Sequence, residues 1–246
     1  MAAPVDPTDT SVRNGANRRF DALFREELAG LPANAMLLEV GCGDSAWLPY
    51  FARRFGLHVS GLDYSEAGCE SARQILERAG VTGDIVCSDL FDPPARLLGG
   101  FHAVVTFGVV EHFTNTASCI SALARYLTPG GVLITVIHNM TGLIGLIEKA
   151  INPEVYDLHE PLGPRALSAA HEAAGLAVRR SEFFLSTNFG VLNVNDLQTG
   201  APTRVKAALC TSLSRLSKVV WALEERSRPL PATRTFAPYV VCVGVL

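Results

Sequence analysis

The stretch Met36-Leu37-Leu38-Glu39-Val40-Gly41-Cys42-Gly43-Asp44-Ser45-Ala46 decides how the chain is read. Met36, Leu37, Leu38 and Val40 form a short apolar run that suits a buried strand, and Gly41-Cys42-Gly43 ends it. A helical pattern begins at once. Leu48, Phe51, Ala52 and Phe55 follow the i, i+3, i+4, i+7 spacing, and Gly56 is a natural stop. Strand, glycine turn and helix in this order make the ligand-approach loop of an open α/β sheet. The glycines let the backbone come close to a bound group, and free N–H groups at a helix start favour negative charge there. Asp44 or Ser45 is expected to cap the helix, with Pro49 tolerated in its first turn.

Outward from this loop, strands and helical patterns alternate. Leu57 to Asp63 reads as a second strand ending in an acid, and Ser65 caps a helix whose apolar face is Cys69, Ala72, Leu76 and Ala79. Asp84 to Cys87 is a short third strand, followed by Ser88-Asp89-Leu90; Phe101 to Phe107 is a fourth. Thr114-Asn115-Thr116 offers caps to a helix with Ile120, Leu123, Ala124 and Leu127 on one face. Thr128-Pro129-Gly130-Gly131 reads as a turn, and Val132 to Ile137 as a fifth strand. Such alternation predicts a doubly wound α/β fold with a largely parallel sheet.

The loop alone fits two families. Gly41-x-Gly43-x-x-Ala46 satisfies the dinucleotide fingerprint of NAD-dependent dehydrogenases, with Asp63 at the expected distance. Glu39-Val40-Gly41-Cys42-Gly43 also resembles the E-x-G-x-G-x-G motif of class I S-adenosylmethionine-dependent methyltransferases, Ser45 standing where many members carry the third glycine. The downstream series favours the second family. Asp63, Asp89-Leu90, Val109-Val110-Glu111-His112-Phe113 and Leu127-Thr128-Pro129-Gly130-Gly131 are similar to its ordered motifs, over about Met36 to Asn139. Gly175 to Val178 resembles the start of its sixth strand, and Pro238 to Val243 its final antiparallel strand. The resemblance implies a Rossmann-like seven-stranded sheet with an antiparallel last strand, plus helical lid and insertion segments.

It also implies S-adenosyl-L-methionine as cofactor and S-adenosyl-L-homocysteine as product. Gly41, Cys42 and Gly43 would approach the amino-acid tail and ribose, Asp63 accept both ribose hydroxyls, and Asp89 take the adenine amino group with Leu90 on the ring. Glu39 lies inside an apolar strand, where an unpaired carboxylate is costly, so it must find donors nearby; by resemblance it orients the cofactor end, as does Glu111. Trp47, Tyr64, Phe107 and Phe113 offer aromatic faces for a sulfonium, or core packing. Methyl transfer to a hydroxyl wants a base. His112 after the fourth strand, His138 at the end of the fifth, and His159 between Asp157 and Glu160 should meet over the crevice, with His112 first among them. His58, His102 and His171 read as structural or exposed. Asp92-Pro93-Pro94 is not the D-P-P-Y box of amino-methylating enzymes, because it precedes the fourth strand and Ala95 stands in the aromatic position.

Composition narrows the rest. At 246 residues the chain suits one domain with a full core, and its net charge of -3 argues against a nucleic-acid footprint. It carries no apolar run of membrane-spanning length and no apolar signal core near its start, which predicts a cytoplasmic protein without integral membrane association. Cys42, Cys69, Cys87, Cys119, Cys210 and Cys242 form no C-x-x-C pair and read as small buried thiols; no metal ligand is assigned. Residues 1–12 read as flexible, within an N-terminal helical cap over 1–30 with a helix near Asn17 to Leu28. It could cover the sheet or close over the cofactor. Residues 140–162 read as a lid whose apolar, glycine-hinged segment Met140–Ile151 caps an apolar pocket. Residues 186–237 read as an insertion between strands six and seven. Its helix has Val205, Leu209, Leu213, Leu216, Val220 and Leu223 as a stripe, flanked by Arg204, Lys206, Arg215, Lys218, Arg226 and Arg228. That helix packs on the domain, forms a homodimer contact, or touches membrane surfaces. The expected activity is methylation of an oxygen, or else a nitrogen, of a small and partly apolar metabolite in biosynthesis or secondary metabolism. A carbon acceptor or a lipid- or quinone-like substrate is the near alternative. A cofactor-binding interaction protein without turnover and an NAD-dependent dehydrogenase are the distant ones.

Overall fold

The computed structural model describes residues 15–192, 201–227 and 229–246, without the side chains at 201–205 and 207. The expected flexible segment 1–12 and the flanking Val205, Arg204 and Arg228 side chains therefore lie outside the description. Helix α1 (Gly15–Glu27) precedes β1 (Met36–Val40), α2 (Trp47–Phe55), β2 (His58–Asp63), α3 (Glu66–Ala79), β3 (Gly83–Cys87) and β4 (Phe101–Phe107). Then follow α4 (Thr116–Ala124), β5 (Leu127–His138), α5 (Leu143–Ile151), α6 (Pro153–Asp157), α7 (Pro164–Ala173), β6 (Ala177–Phe184), α8 (Ala201–Arg226) and β7 (Tyr239–Val245). The strands form one sheet in the order β3-β2-β1-β4-β5-β7-β6, with β7 antiparallel to both neighbours and the other pairings parallel.

Strand alternation builds the two faces. Leu37 of β1 faces a cluster containing Phe20, Phe24, Leu48, Phe51, Ala103 and Val105, while Leu38 and Val40 face one with Leu62, Val104, Ile120, Leu123 and Tyr126. Both faces are covered, as a parallel sheet requires. Ser65 caps α3 through its side chain, which accepts the Gly68 N–H, and Asn115 caps α4 by accepting from Ser118. At α2 the cap residue is Ala46 rather than Asp44 or Ser45, yet Ser45 Oγ still accepts the Trp47 N–H at 3.1 Å.

Several expectations are corrected. Thr128–Gly131 is not a turn ahead of a strand but part of β5, and Leu127 belongs to that strand rather than to α4. The tetrad forms an irregularity, Phe101 pairing Leu127 and Ala103 pairing Val132. The final residue stabilises it, since Leu246 exchanges backbone hydrogen bonds with Gly130 and Gly131. Cys87 is exposed, whereas the other cysteines are buried. Helix α8 turns Cys210, Ser217 and Trp221 inward and leaves Leu209, Leu216 and Leu223 exposed, so most of the predicted stripe faces outward. The Trp221 indole donates to the Thr187 carbonyl and Ser217 Oγ accepts the Phe189 N–H, polar anchors that fix which side is buried. Helix α5 packs through Ile144 and Ile151 against Phe189, Leu192 and Cys210, tying the lid segment to the insertion. No helix among the described residues is long and apolar enough to cross a membrane.

Candidate active site

The strand order reverses at β1, whose neighbours are β2 on one side and β4 on the other. A cleft opens at the carboxyl ends there, where an open α/β sheet has its natural crevice. Its volume is about 710 Å³, and Gly41, Asp63, Tyr64, Asp89, Leu90, Phe107, His112 and Phe113 are among the residues lining it.

The glycine loop is held from two sides. Gly41 has φ +77°, and a Cβ there would stand 2.3 Å from Val109 Cγ2, so a side chain at this position is both strained and blocked unless Val109 gives way. The N–H groups of Gly41 and Cys42 both donate to the Leu62 carbonyl at the end of β2. Gly43 lies instead against Asp63 and the Gly68 backbone: a Cβ on Gly43 would meet Asp63 Oδ2 at 3.1 Å. The Cys42 side chain points into the core, fully buried and close to Gly61, so only its backbone can serve a cofactor.

Asp63 does more than present an acid to the cleft. Its Oδ2 accepts the Gly43 N–H and its Oδ1 the Ser65 N–H, each at 2.9 Å. Each oxygen keeps lone-pair capacity for a hydroxyl donor. Asp89 turns its own loop by accepting the Phe91 N–H, and the fully buried Tyr126 hydroxyl donates to the Leu90 carbonyl at 2.8 Å. Glu39 is buried with neither carboxylate oxygen in good hydrogen-bond geometry to any described residue, and burial pushes its pKa up to about 8 against a smaller opposing pull from the nearby Ser45 hydroxyl. Tyr64 is exposed at the cleft mouth, while Trp47 stacks on the inner side of Phe107 at 5.4 Å within an aromatic cluster around Phe20 and Phe24. Helix α1 thus covers the sheet and backs one cleft wall, because Phe20 also meets Phe107 at 5.8 Å.

On the β4/β5 side three imidazoles converge, as the strand ends imply. The His112 and His159 rings lie 4.6 Å apart, and those of His138 and His159 6.1 Å. His112 Nδ1 bonds the Leu158 carbonyl at 3.1 Å and His159 Nδ1 the Val155 carbonyl at 2.6 Å. Burial lowers the His159 pKa against the opposing pull of that carbonyl. The pairing absent from the sequence reading is Glu111 with His138. Glu111 Oε1 accepts both the backbone N–H and the ring Nδ1 of His138 at 3.0 Å. Burial opposes ionisation of Glu111, but the His138 contacts outweigh it and hold its pKa low. Its backbone carbonyl accepts the Glu160 N–H at 2.7 Å, pinning the end of the lid segment to the short turn Val110–His112. Val109 of the Val109–Phe113 motif lines the cleft with Gly108, Phe91 and Leu158; Gly108 adjoins that motif and Leu158 adjoins His159, the signals that could have found those two. His171 is fully buried, bonding Thr135 Oγ1 and the Leu167 carbonyl, and His102 Nδ1 accepts the Met36 N–H; both are structural.

Residues 37–131 match the model of a family described as a methyltransferase domain. A ubiquinone biosynthesis O-methyltransferase of Hahella chejuensis is 34% identical over 110 residues, 45% of each chain. The match thus spans less than half the length of that curated relative. A methyltransferase structure from Archaeoglobus fulgidus, described as S-adenosylmethionine-dependent, superposes with TM-score 0.58 at 19% identity, covering 93% of this chain and 94% of that one. The [4+2]-cyclase SpnF superposes with TM-score 0.62 at 16% identity, covering 92% and 79%. At such identities the structures establish the fold alone, and the cyclase marks how far chemistry can drift on it. The matched segment, which carries the glycine loop, Asp63, Asp89 and the Glu111 turn, is similar to a methyltransferase domain, and the sheet around it has the fold of S-adenosylmethionine-dependent methyltransferases.

Proposed function

We propose that the protein transfers the methyl group of S-adenosylmethionine to an oxygen of a small, partly apolar, hydroxylated acceptor. One observation carries this reading: the cleft has acids on its β2/β3 flank and, on its β4/β5 flank, the His112 imidazole with those of His159 and His138 behind it. The acids suit a nucleoside. Asp63 has capacity for the ribose hydroxyls and Asp89 for the adenine amino group, and the buried Glu39 carboxyl, which keeps its proton while alone, would ionise beside a cationic ligand. The imidazoles suit the acceptor. A peptide carbonyl only accepts, so Nδ1 of His112 carries the proton and Nε2 keeps a lone pair for an acceptor hydroxyl. In the transfer the acceptor O–H bond breaks toward His112. The oxygen attacks the methyl carbon in line, and the C–S bond electrons return to sulfur. Alignment and water exclusion supply much of the rate. His112 is the proposed base, with His159 next.

The named function of the curated relatives supports phenolic, quinol-like acceptors as the first to try. The test is calorimetry with S-adenosylhomocysteine and with NAD(H), mass spectrometry of any co-purifying nucleoside, then turnover screening of phenols against amines. Micromolar binding of S-adenosylhomocysteine and methylation of a phenol or alcohol are expected. Saturable NAD(H) binding without it would overturn the reading.

A further inference from the structure

The Glu111 cluster is built for more than hydrogen bonding. Glu111 is fully buried, and while Oε1 is taken twice by His138, Oε2 has no partner. A buried carboxylate oxygen left bare is costly, and nothing among the described residues relieves it. Around it stand two imidazoles whose Nδ1 atoms are already committed to oxygens, His138 to Glu111 and His159 to the Val155 carbonyl. With its proton held on Nδ1, His159 keeps a free lone pair on Nε2, while the proton between His138 Nδ1 and Glu111 Oε1 is the one an ion would replace. Metal-binding histidines characteristically donate the second ring N–H to a carboxylate or carbonyl, as His159 does to Val155. One ligand atom from each of Glu111, His138 and His159 lies within 4.8 Å of the other two. Ligands about 2.0–2.2 Å from a tetrahedral ion stand roughly 3.3 Å apart, so small side-chain rotations close the set.

We propose that Glu111, His138 and His159 form a binding site for a divalent transition-metal ion of the zinc type, open toward the acceptor end of the cleft. Two imidazoles and one carboxylate are the donor set of open zinc sites and suit borderline ions over magnesium or calcium. Only a glycine separates the set from the cleft. Gly108 lines the cleft, and a Cβ on it would stand 3.5 Å from His138 Cε1 and 4.0 Å from Glu111 Oε1. An ion there adds positive charge beside an acceptor hydroxyl and favours its ionised form. That role rests on the methyl-transfer reading above; binding of the ion does not. The ligands lie on β5, on the turn after β4 and on the segment after α6, so no sequence spacing announces them.

The experiment uses the full chain, stripped with a chelator and dialysed. Zn²⁺ is titrated by calorimetry and Co²⁺ by its visible absorption, with S-adenosylhomocysteine affinity and circular dichroism recorded on the same samples. One equivalent of ion is expected, with the absorption of a four- or five-coordinate cobalt site. His159→Ala, on a surface segment, should weaken Zn²⁺ binding by roughly tenfold or more, as should Glu111→Gln, while His58→Ala on an exposed edge leaves it unchanged. A folded protein that binds S-adenosylhomocysteine but no stoichiometric ion overturns the metal site alone. Unchanged Zn²⁺ affinity in folded His159→Ala also overturns it. An ion bound without any S-adenosylhomocysteine binding leaves the site standing and removes the methyl-transfer reading.

Discussion

Asp63 and Gly43 are joined by a 2.9 Å hydrogen bond from the glycine N–H to Oδ2, so the acid assigned to the ribose also fixes the loop that approaches it. The same carboxylate holds Ser65, the cap of α3, through Oδ1. One side chain thereby sets the distance between the glycine loop after β1 and the end of β2.

Asp63→Ala is expected to weaken S-adenosylhomocysteine affinity by at least tenfold, because charge-assisted hydrogen bonds contribute about 1.5–3 kcal/mol each. It should also lower thermal stability without cofactor, since the Gly43 and Ser65 N–H groups lose their acceptor. Calorimetry and thermal melts on the same preparation separate the two effects. Affinity within twofold of wild type would show that the ribose lies elsewhere.

Gly41→Ala meets two obstacles, a left-handed φ and the Val109 side chain. The single variant should be destabilised by several kcal/mol. Adding Val109→Ala removes the clash but leaves the backbone strain, about 1–2 kcal/mol. Denaturant unfolding of the wild type, both singles and the double resolves the coupling; additive effects would contradict the contact.

Glu39→Gln tests the buried carboxyl. Its folded pKa of about 8 lies above the ordinary 4.5, so the folded state holds a proton that the unfolded state releases between these values. Stability from this group is full below about 4.5 and is lost as pH rises toward 8. The glutamine variant, which cannot ionise, should match wild type at pH 5 and exceed it by a few kcal/mol at pH 9, both without cofactor. Parallel pH curves for the two proteins would refute the assignment.

His171 has the opposite sign. Burial depresses its pKa from 6.5 to about 4, so the unfolded state takes up the proton first. Its contribution is present above pH 6.5 and is lost as pH falls toward 4, by roughly 3 kcal/mol at most. His171→Gln should flatten that limb of the stability curve, whatever it costs at pH 7.

His112→Ala is expected to lower kcat by roughly 100-fold or more, with cofactor affinity within a few-fold of wild type. Single-turnover kinetics across pH 5.5 to 9, alongside His138→Ala and His159→Ala, makes the comparison. Near-wild-type rates in all three would leave alignment as the whole of the catalysis.

What the sequence makes legible follows the range of the interactions involved. Strand β4 has the bounds read from its apolar run, and Ser65 and Asn115 cap as their side-chain chemistry requires. The histidines converge because three chain segments end over one sheet edge. The Glu111–His138 pair, 27 residues apart, follows from the lateral pairing of β4 with β5 and has no local signature. Thr128–Gly131 reads as a turn because its composition is that of one, yet the pairing with Leu246 draws it into the sheet. Periodicity marks α8 as helical, but Trp221 and its indole hydrogen bond choose the buried side. Helix α7 goes unread, although Gly163-Pro164 before Leu167, Ala170 and His171 offers a start signal and an apolar face.

Two hydrogen bonds lash the segment Leu158–Glu160 to the turn that carries His112: His112 Nδ1 to the Leu158 carbonyl, and the Glu160 N–H to the Glu111 carbonyl. Any displacement of that strap to admit a bulky acceptor breaks the first bond and frees the imidazole to rotate. The sequence of events is then constrained. Under the proposed role of His112, entry must come before the base is set and departure of product must unset it, so one latch would open and close each turnover.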